Sequence, residues 1–258
     1  MDLKVMNSKF KGLRFFYLTF LLVLIFSGCQ KDTVTPPIII TEDDVADAIG
    51  SSFATSSRGL VWQLGVGTEI ADSDKVPSIM KNSMIIPIET TITRQGTLGG
   101  YTYQYTVRYR YEFSILKDSM DFMYWIKSNY TTPRISSSDT GWANFKLTKF
   151  VLRDSCTING TFNKEGIHTS KVRGMKQFTN RLTATLIDVI VDKRTKRVVH
   201  GTINIIAEGE SSDGTAYSYT GVLSIFSDSI ATLILNDQTY EIDLITGNTT
   251  WIEDDDGG

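Results

Sequence analysis

Few side chains in this sequence are equipped for chemistry. It holds two histidines, His168 and His200, and two cysteines, Cys29 and Cys156. Two imidazoles are too few for a histidine-rich metal centre. Cys156 and His168 have the types of a thiol–imidazole pair, yet nothing around either orients it toward the other. Cys156 lies in Asp154-Ser155-Cys156-Thr157-Ile158, which reads as a short strand with a buried, inert thiol. No Gly-x-Ser-x-Gly elbow occurs. Asp72 and Asp74 could open a calcium loop, but Val76 and Pro77 take the next ligand positions. Gly65-Val66-Gly67 lacks the lysine of a phosphate loop and reads as a turn. Asp188 interrupts an apolar run and reads as a partly buried, hydrogen-bonding acid. Paired carboxylates for glycoside chemistry are defined by their separation across a cleft, which spacing along strands does not supply. These residues lead to an expectation of no catalytic group, no metal and no cofactor.

Aromatic residues carry more information. Tyr101, Tyr103, Tyr105, Tyr109 and Tyr111 alternate with polar residues, and Trp125, Tyr130 and Trp142 follow. Tyrosine and tryptophan join apolar area to a polar tip, which suits contact with a sugar or a protein. The same alternation also suits a core face whose phenol oxygens reach the rim. Both readings stand at this level.

The elements that must position these rings are strands. From Met84 the apolar period is two, and Tyr101–Ile115 is the longest alternating run, with Thr102, Gln104, Thr106, Arg108, Arg110, Glu112 and Ser114 on its wet face. A run of that length must twist strongly, carry a bulge or serve two sheets. Phe122–Tyr130 reads as its neighbour, and Ser136–Gly141 as a loop. Further strands are expected at 144–153, 156–162, 181–191, 198–207, 216–226, 230–235 and 240–245, separated by turn compositions such as Asn163–Gly166 and Ser211–Gly214. One helix is expected over 41–58. Thr41 caps it, Glu42, Asp43 and Asp44 meet its positive end, and Val45, Ala48, Ile49, Ser52 and Phe53 form its apolar stripe.

The start of the chain sets an address. Lys4, Lys9, Lys11 and Arg14 precede twelve largely apolar residues, Phe15–Phe26, then Ser27-Gly28 and Cys29. A basic start, a short apolar core and small residues make a secretory signal peptide. The run is shorter than the roughly 20 residues that span a bilayer. Phe26-Ser27-Gly28-Cys29 resembles the lipobox of bacterial lipoproteins, with Phe26 where leucine is usual. The resemblance implies cleavage before Cys29, diacylglycerol on its thiol and an acyl group such as palmitate on its new amine. Gln30-Lys31-Asp32 is similar to the charged tag of surface-exported lipoproteins of the Bacteroidetes type. Asp32-Thr33-Val34, Asp118-Ser119-Met120 and Asp228-Ser229-Ile230 resemble the O-glycosylation acceptors of that group. Pro36-Pro37 keeps the segment after the cysteine extended, as a tether.

Without residues 1–28 the chain has 22 basic and 28 acidic residues. That balance argues against nucleic acid and provides no polybasic patch for lipid headgroups. The expected organisation is a signal peptide over 1–28, a lipidated cysteine and tether over 29–40, and a single mainly β domain over 41–258. That domain is expected as an antiparallel β-meander forming a sandwich or open barrel, with one N-terminal helix and an acidic tail, Glu253–Gly258. The expected function is a lipid-anchored envelope protein, without enzymatic activity, on the surface or periplasmic side of the outer membrane. Its partners would be the membrane, through Cys29, and a glycan or envelope protein. A lipocalin-like or lipoprotein-carrier-like binder of an apolar ligand is the second reading. A deep apolar cavity under the helix would favour the carrier, and aromatics exposed on a flat face would favour surface binding.

Overall fold

A computed structural model of the chain describes residues 36–72, 87–114, 118–151 and 153–253. The expected signal peptide, Cys29, Asp74 and the last five residues of the acidic tail lie outside these. Among the described residues two helices come first, α1 over Glu42–Phe53 and α2 over Leu60–Ala71. Eleven strands follow: β1 Ile88–Leu98, β2 Tyr101–Ser114, β3 Ser119–Thr131, β4 Ile135–Thr148, β5 Ser155–Ser170, β6 Gln177–Asp192, β7 Val198–Glu210, β8 Ala216–Ile225, β9 Ile230–Leu235, β10 Gln238–Asp243 and β11 Thr249–Ile252. Each pairs antiparallel with the next, in one sheet ordered β1 to β11. The expected antiparallel meander is thus one continuous open sheet, and its end strands do not pair to close it into a barrel.

Alternation along the strands gives the sheet an inner and an outer face. Val107, Tyr109, Phe122, Tyr124, Phe145, Leu147, Phe162, Leu182, Ile203, Leu223 and Leu233 are buried on the inner one, against Val45, Ile49 and Phe53 of α1 and Leu60 and Leu64 of α2. Each such large side chain contributes about 1.5–3 kcal/mol by leaving water. The sheet curls around the helices: α1 touches β4 as well as β9, β10 and β11, and α2 touches β4, β6 and β7.

The helical part differs from expectation. The first helix ends at Phe53, five residues short of the expected stop. Gly59 caps the start of a second helix, α2, whose sequence reads as a turn because of Gly65 and Gly67. These glycines serve packing. A Cβ at Gly65 would come within 2.7 Å of the Lys196 carbonyl oxygen, and one at Gly67 within 3.0 Å of the Phe122 ring. The helix therefore lies closer to the sheet than alanine permits. Helix α1 is buried from Asp44 to Phe53 on all sides, not along one stripe.

Two strand boundaries also shift. Ser136–Gly141 is the first half of β4, and Asn163–Gly166 lies in the middle of β5. Their inner positions are polar, Ser137, Asp139 and Lys164, and all three are buried. The tertiary fold satisfies them, so the apolar period breaks while the strand continues. β11 is four residues long and adds an edge that the sequence reading lacks.

Candidate functional site

The eight aromatics do not share a face. Tyr105, Tyr109 and Tyr130 are buried, and Tyr103 and Tyr111 pack half-buried on the same core. Tyr101 belongs to this inner row and is half-buried too. The Tyr109 hydroxyl donates to Gln63 Oε1 at 2.6 Å, and burial raises its pKa. The Arg58 guanidinium lies 4.0 Å from the Trp62 ring centre and 4.6 Å from that of Tyr103, and donates to the Tyr103 hydroxyl at 3.1 Å. The tyrosine row is thus occupied by the protein itself.

Trp125 and Trp142 point the other way. They are register partners on β3 and β4 and are 39% and 42% exposed on the outer face. Parity alone separates them from the core: Phe122, Tyr124 and Ile126 are even-numbered and buried, while Trp125 is odd-numbered. Arg108, the partner of Trp125 on β2, places its guanidinium 4.5 Å from that ring's centre. Asn163 continues the row beyond Trp142 on β5.

Four residues further along β3, the outer face turns into a pavement of neutral hydrogen-bonding groups. Asn129 sits between Gln104 and Ser138, and Thr131 between Thr102 and Ser136. With Gln95, Thr97, Thr169 and Gln177 they line an open groove of about 750 Å³. Sequence reasoning had only half of this, since Ser136 and Ser138 read as loop. An adjoining groove of about 830 Å³ contains Lys127, Glu165, Arg181 and Glu208. There Arg181 lies between the two glutamates, 3.7 Å from each. A guanidinium lodged between half-exposed carboxylates is an ion ladder, not a carboxylate pair converging on one bond.

The inner face holds a different constellation. Lys164 Nζ lies 2.9 Å from Asp139 and 3.2 Å from both the Ser52 and the Tyr130 hydroxyls. Ser137 donates to Asp139 at 2.7 Å, and Ser128 bonds the same carboxylate. Serine beside lysine has the composition of a nucleophile–base dyad. Burial opposes the lysine's charge, but Asp139 and Tyr130 outweigh it and hold the ammonium above its ordinary pKa. A charged lysine cannot take the serine proton, and both residues are buried. The cluster ties α1 to β3, β4 and β5. Cys156 and His168 sit at opposite ends of β5 and form no pair. The Cys156 thiol is buried against the Thr68 hydroxyl at 3.2 Å, and burial pushes its pKa up.

Asp188 and Asp72 hold structural bonds. Asp188 is exposed, contrary to expectation, and sits with φ 47° at a bulge between β6 and β7. Its N–H donates to Asn159 Oδ1 at 2.9 Å, and its carboxylate accepts from Asn159 Nδ2 at 3.2 Å. Asp72 bridges Lys193 at 2.8 Å and Lys196 at 2.9 Å. Among the described residues no group of three or more His, Cys, Asp or Glu side chains could hold a metal. Ser119, in one of the tripeptides that resemble glycosylation acceptors, is buried. Comparison of the chain with protein-family models, curated proteins and solved structures finds no match.

Proposed function

We propose that this chain is a lipid-anchored envelope protein, without enzymatic activity, whose outer sheet face binds a glycan. The observation that carries the reading is the paired exposure of Trp125 and Trp142 beside a neutral amide and hydroxyl surface. Indole faces stack on the C–H faces of pyranose rings. Amides and hydroxyls offer both donors and acceptors, which sugar hydroxyls require. Adjacent strands lie about 4.8 Å apart, close to the length of one pyranose unit, so successive sugars can lie over successive strands. The anchor reading is supported by the basic, apolar and small-residue pattern ending at Cys29.

A carrier for an apolar ligand finds less support. Where the helices meet the sheet near Tyr124 and Lys164, the free space is about 10 Å³. That is about the volume that admits one water and too little for an acyl chain.

The test is a glycan array followed by calorimetry with the full chain. Trp125→Ala and Trp142→Ala are each expected to weaken binding about tenfold or more, at about 1–3 kcal/mol per lost stacking contact. Tyr109→Phe is expected to leave it unchanged. Binding that survives loss of both tryptophans would refute the outer face as the site.

A further inference from the structure

We propose that the tip of the β5–β6 hairpin, together with Ile39, rests on the bilayer surface that holds the lipid of Cys29. The proposal depends on the anchor reading above and adds to it a defined orientation of the domain.

Three observations converge. Val172, Met175 and Ile39 are exposed apolar residues, at 47%, 63% and 63%. The first two occupy the hairpin tip, and Ile39 is bound to the same hairpin through Lys176 Nζ, which donates to its carbonyl at 2.9 Å. The tip is also built at a local cost. Gly174 has φ 65° and Met175 φ 55°, paired left-handed residues in a turn that the Lys176 N–H closes onto the Arg173 carbonyl. That backbone calls for asparagine or glycine. A bulky apolar side chain is disfavoured there by its backbone and again by water. Residues held against local preference point to a role for the side chain.

Position chooses the occupant. Ile39 comes only ten residues after Cys29, so the tether reaches at most about 35 Å. The hairpin beside Ile39 is therefore always within reach of the bilayer. Tethering turns contact with the surface into an intramolecular event, so a small apolar area is enough. The segment Lys171–Lys176 has three cations, whose charge the α1 carboxylates largely balance, so the contact is an apolar one. Lys171 is exposed, while Arg173 and Lys176 hold carboxylates of α1. Trp125 lies six residues back from the same end of β3, about 20 Å along the strand. The tryptophan pair would stand clear of the headgroups, while Thr169 and Gln177 of the groove flank the tip.

The experiment uses the full lipidated protein in vesicles of phosphatidylethanolamine and phosphatidylglycerol containing a doxyl-acyl lipid. Val172→Cys, Met175→Cys and, in the β6–β7 turn, Arg194→Cys each receive a nitrobenzoxadiazole label. Cys156 is buried and does not compete. The labels at 172 and 175 are expected to shift to the blue and to be quenched several-fold more than the label at 194. If Cys29 carries its lipid by mass and the three labels are quenched alike, the contact is overturned while the anchor stands. A blue shift without quenching would mean that a second copy of the chain covers the tip, and overturns it equally. An unmodified Cys29 would bring down the anchor reading and this contact with it.

Discussion

At the scale of single residues, the fold rests on polar groups that the core accepts only because they meet. Lys164 and Asp139 are worth keeping as a pair, whereas removing one alone leaves a buried charge and costs about 3–5 kcal/mol. His168, close by, is buried and stacks on Phe178 with ring centres 5.5 Å apart. Burial, reinforced by the Lys164 charge, pushes its pKa down from 6.5 to about 4. The folded state thus binds this proton less readily than the unfolded chain. Stability conferred by neutral His168 is complete above pH 6.5 and is lost as pH falls toward about 4, a total of roughly 3 kcal/mol. Denaturant titrations between those limits should show this slope, and His168→Phe should flatten it. Equal slopes in both proteins would refute the assignment. The same scale separates the tryptophans from the tyrosines: one residue of register decides which ring meets water.

At the scale of elements, α1 is held by a clasp. Arg173, on the β5–β6 hairpin, bonds Asp44 at 2.9 Å and also meets Asp47. Lys176 reaches Asp44 at 2.8 Å and Arg134 reaches Asp47 at 2.6 Å. The Tyr240 hydroxyl donates to Asp43 at 2.9 Å. Burial alone would raise the Asp44 pKa, but bonds from Lys176, the Thr41 N–H and Arg173 outweigh it and hold the carboxyl below its ordinary value. Its contribution is therefore present above the unfolded carboxyl pKa and lost as pH falls through the lower folded one. This acid limb lies below that of His168. Arg173→Ala should cost about 3 kcal/mol. Hydrogen exchange should show the α1 amides losing protection before those of β2–β7. Uniform loss across the sheet would mean that the clasp is not local. The same polar interior explains what sequence reading missed. Strands β2 and β8 alternate cleanly, and β7 and β9 are legible as apolar runs, whereas the polar inner positions of β4 and β5 look like loop until their partners on other elements are known. Helix α2 was hidden because its glycines answer to the Phe122 ring and the Lys196 carbonyl, which no local pattern reports.

At the largest scale, the described residues form an open curled sheet packed on two helices, with one aromatic-bearing outer face. The anchor prediction belongs here. Radiolabelled fatty acid should enter the native protein and be lost on Cys29→Ser, and continued labelling of that variant would move the anchor elsewhere. Two or three acyl chains at about 0.8 kcal/mol per buried methylene hold a protein durably, and no described helix is long and apolar enough to cross a bilayer. From its sequence alone this protein is a mainly β, antiparallel chain behind a leader-like start, because a period of two and turn chemistry are local properties. Only the tertiary structure decided that the sheet stays open, that two helices pack in it, and that Trp125 and Trp142 lie on the outer face while the tyrosines pack on the inner one. Alternation tells which residues share a face; which face is inside depends on how the strands curl around α1 and α2, and that is decided by contacts between distant parts of the chain.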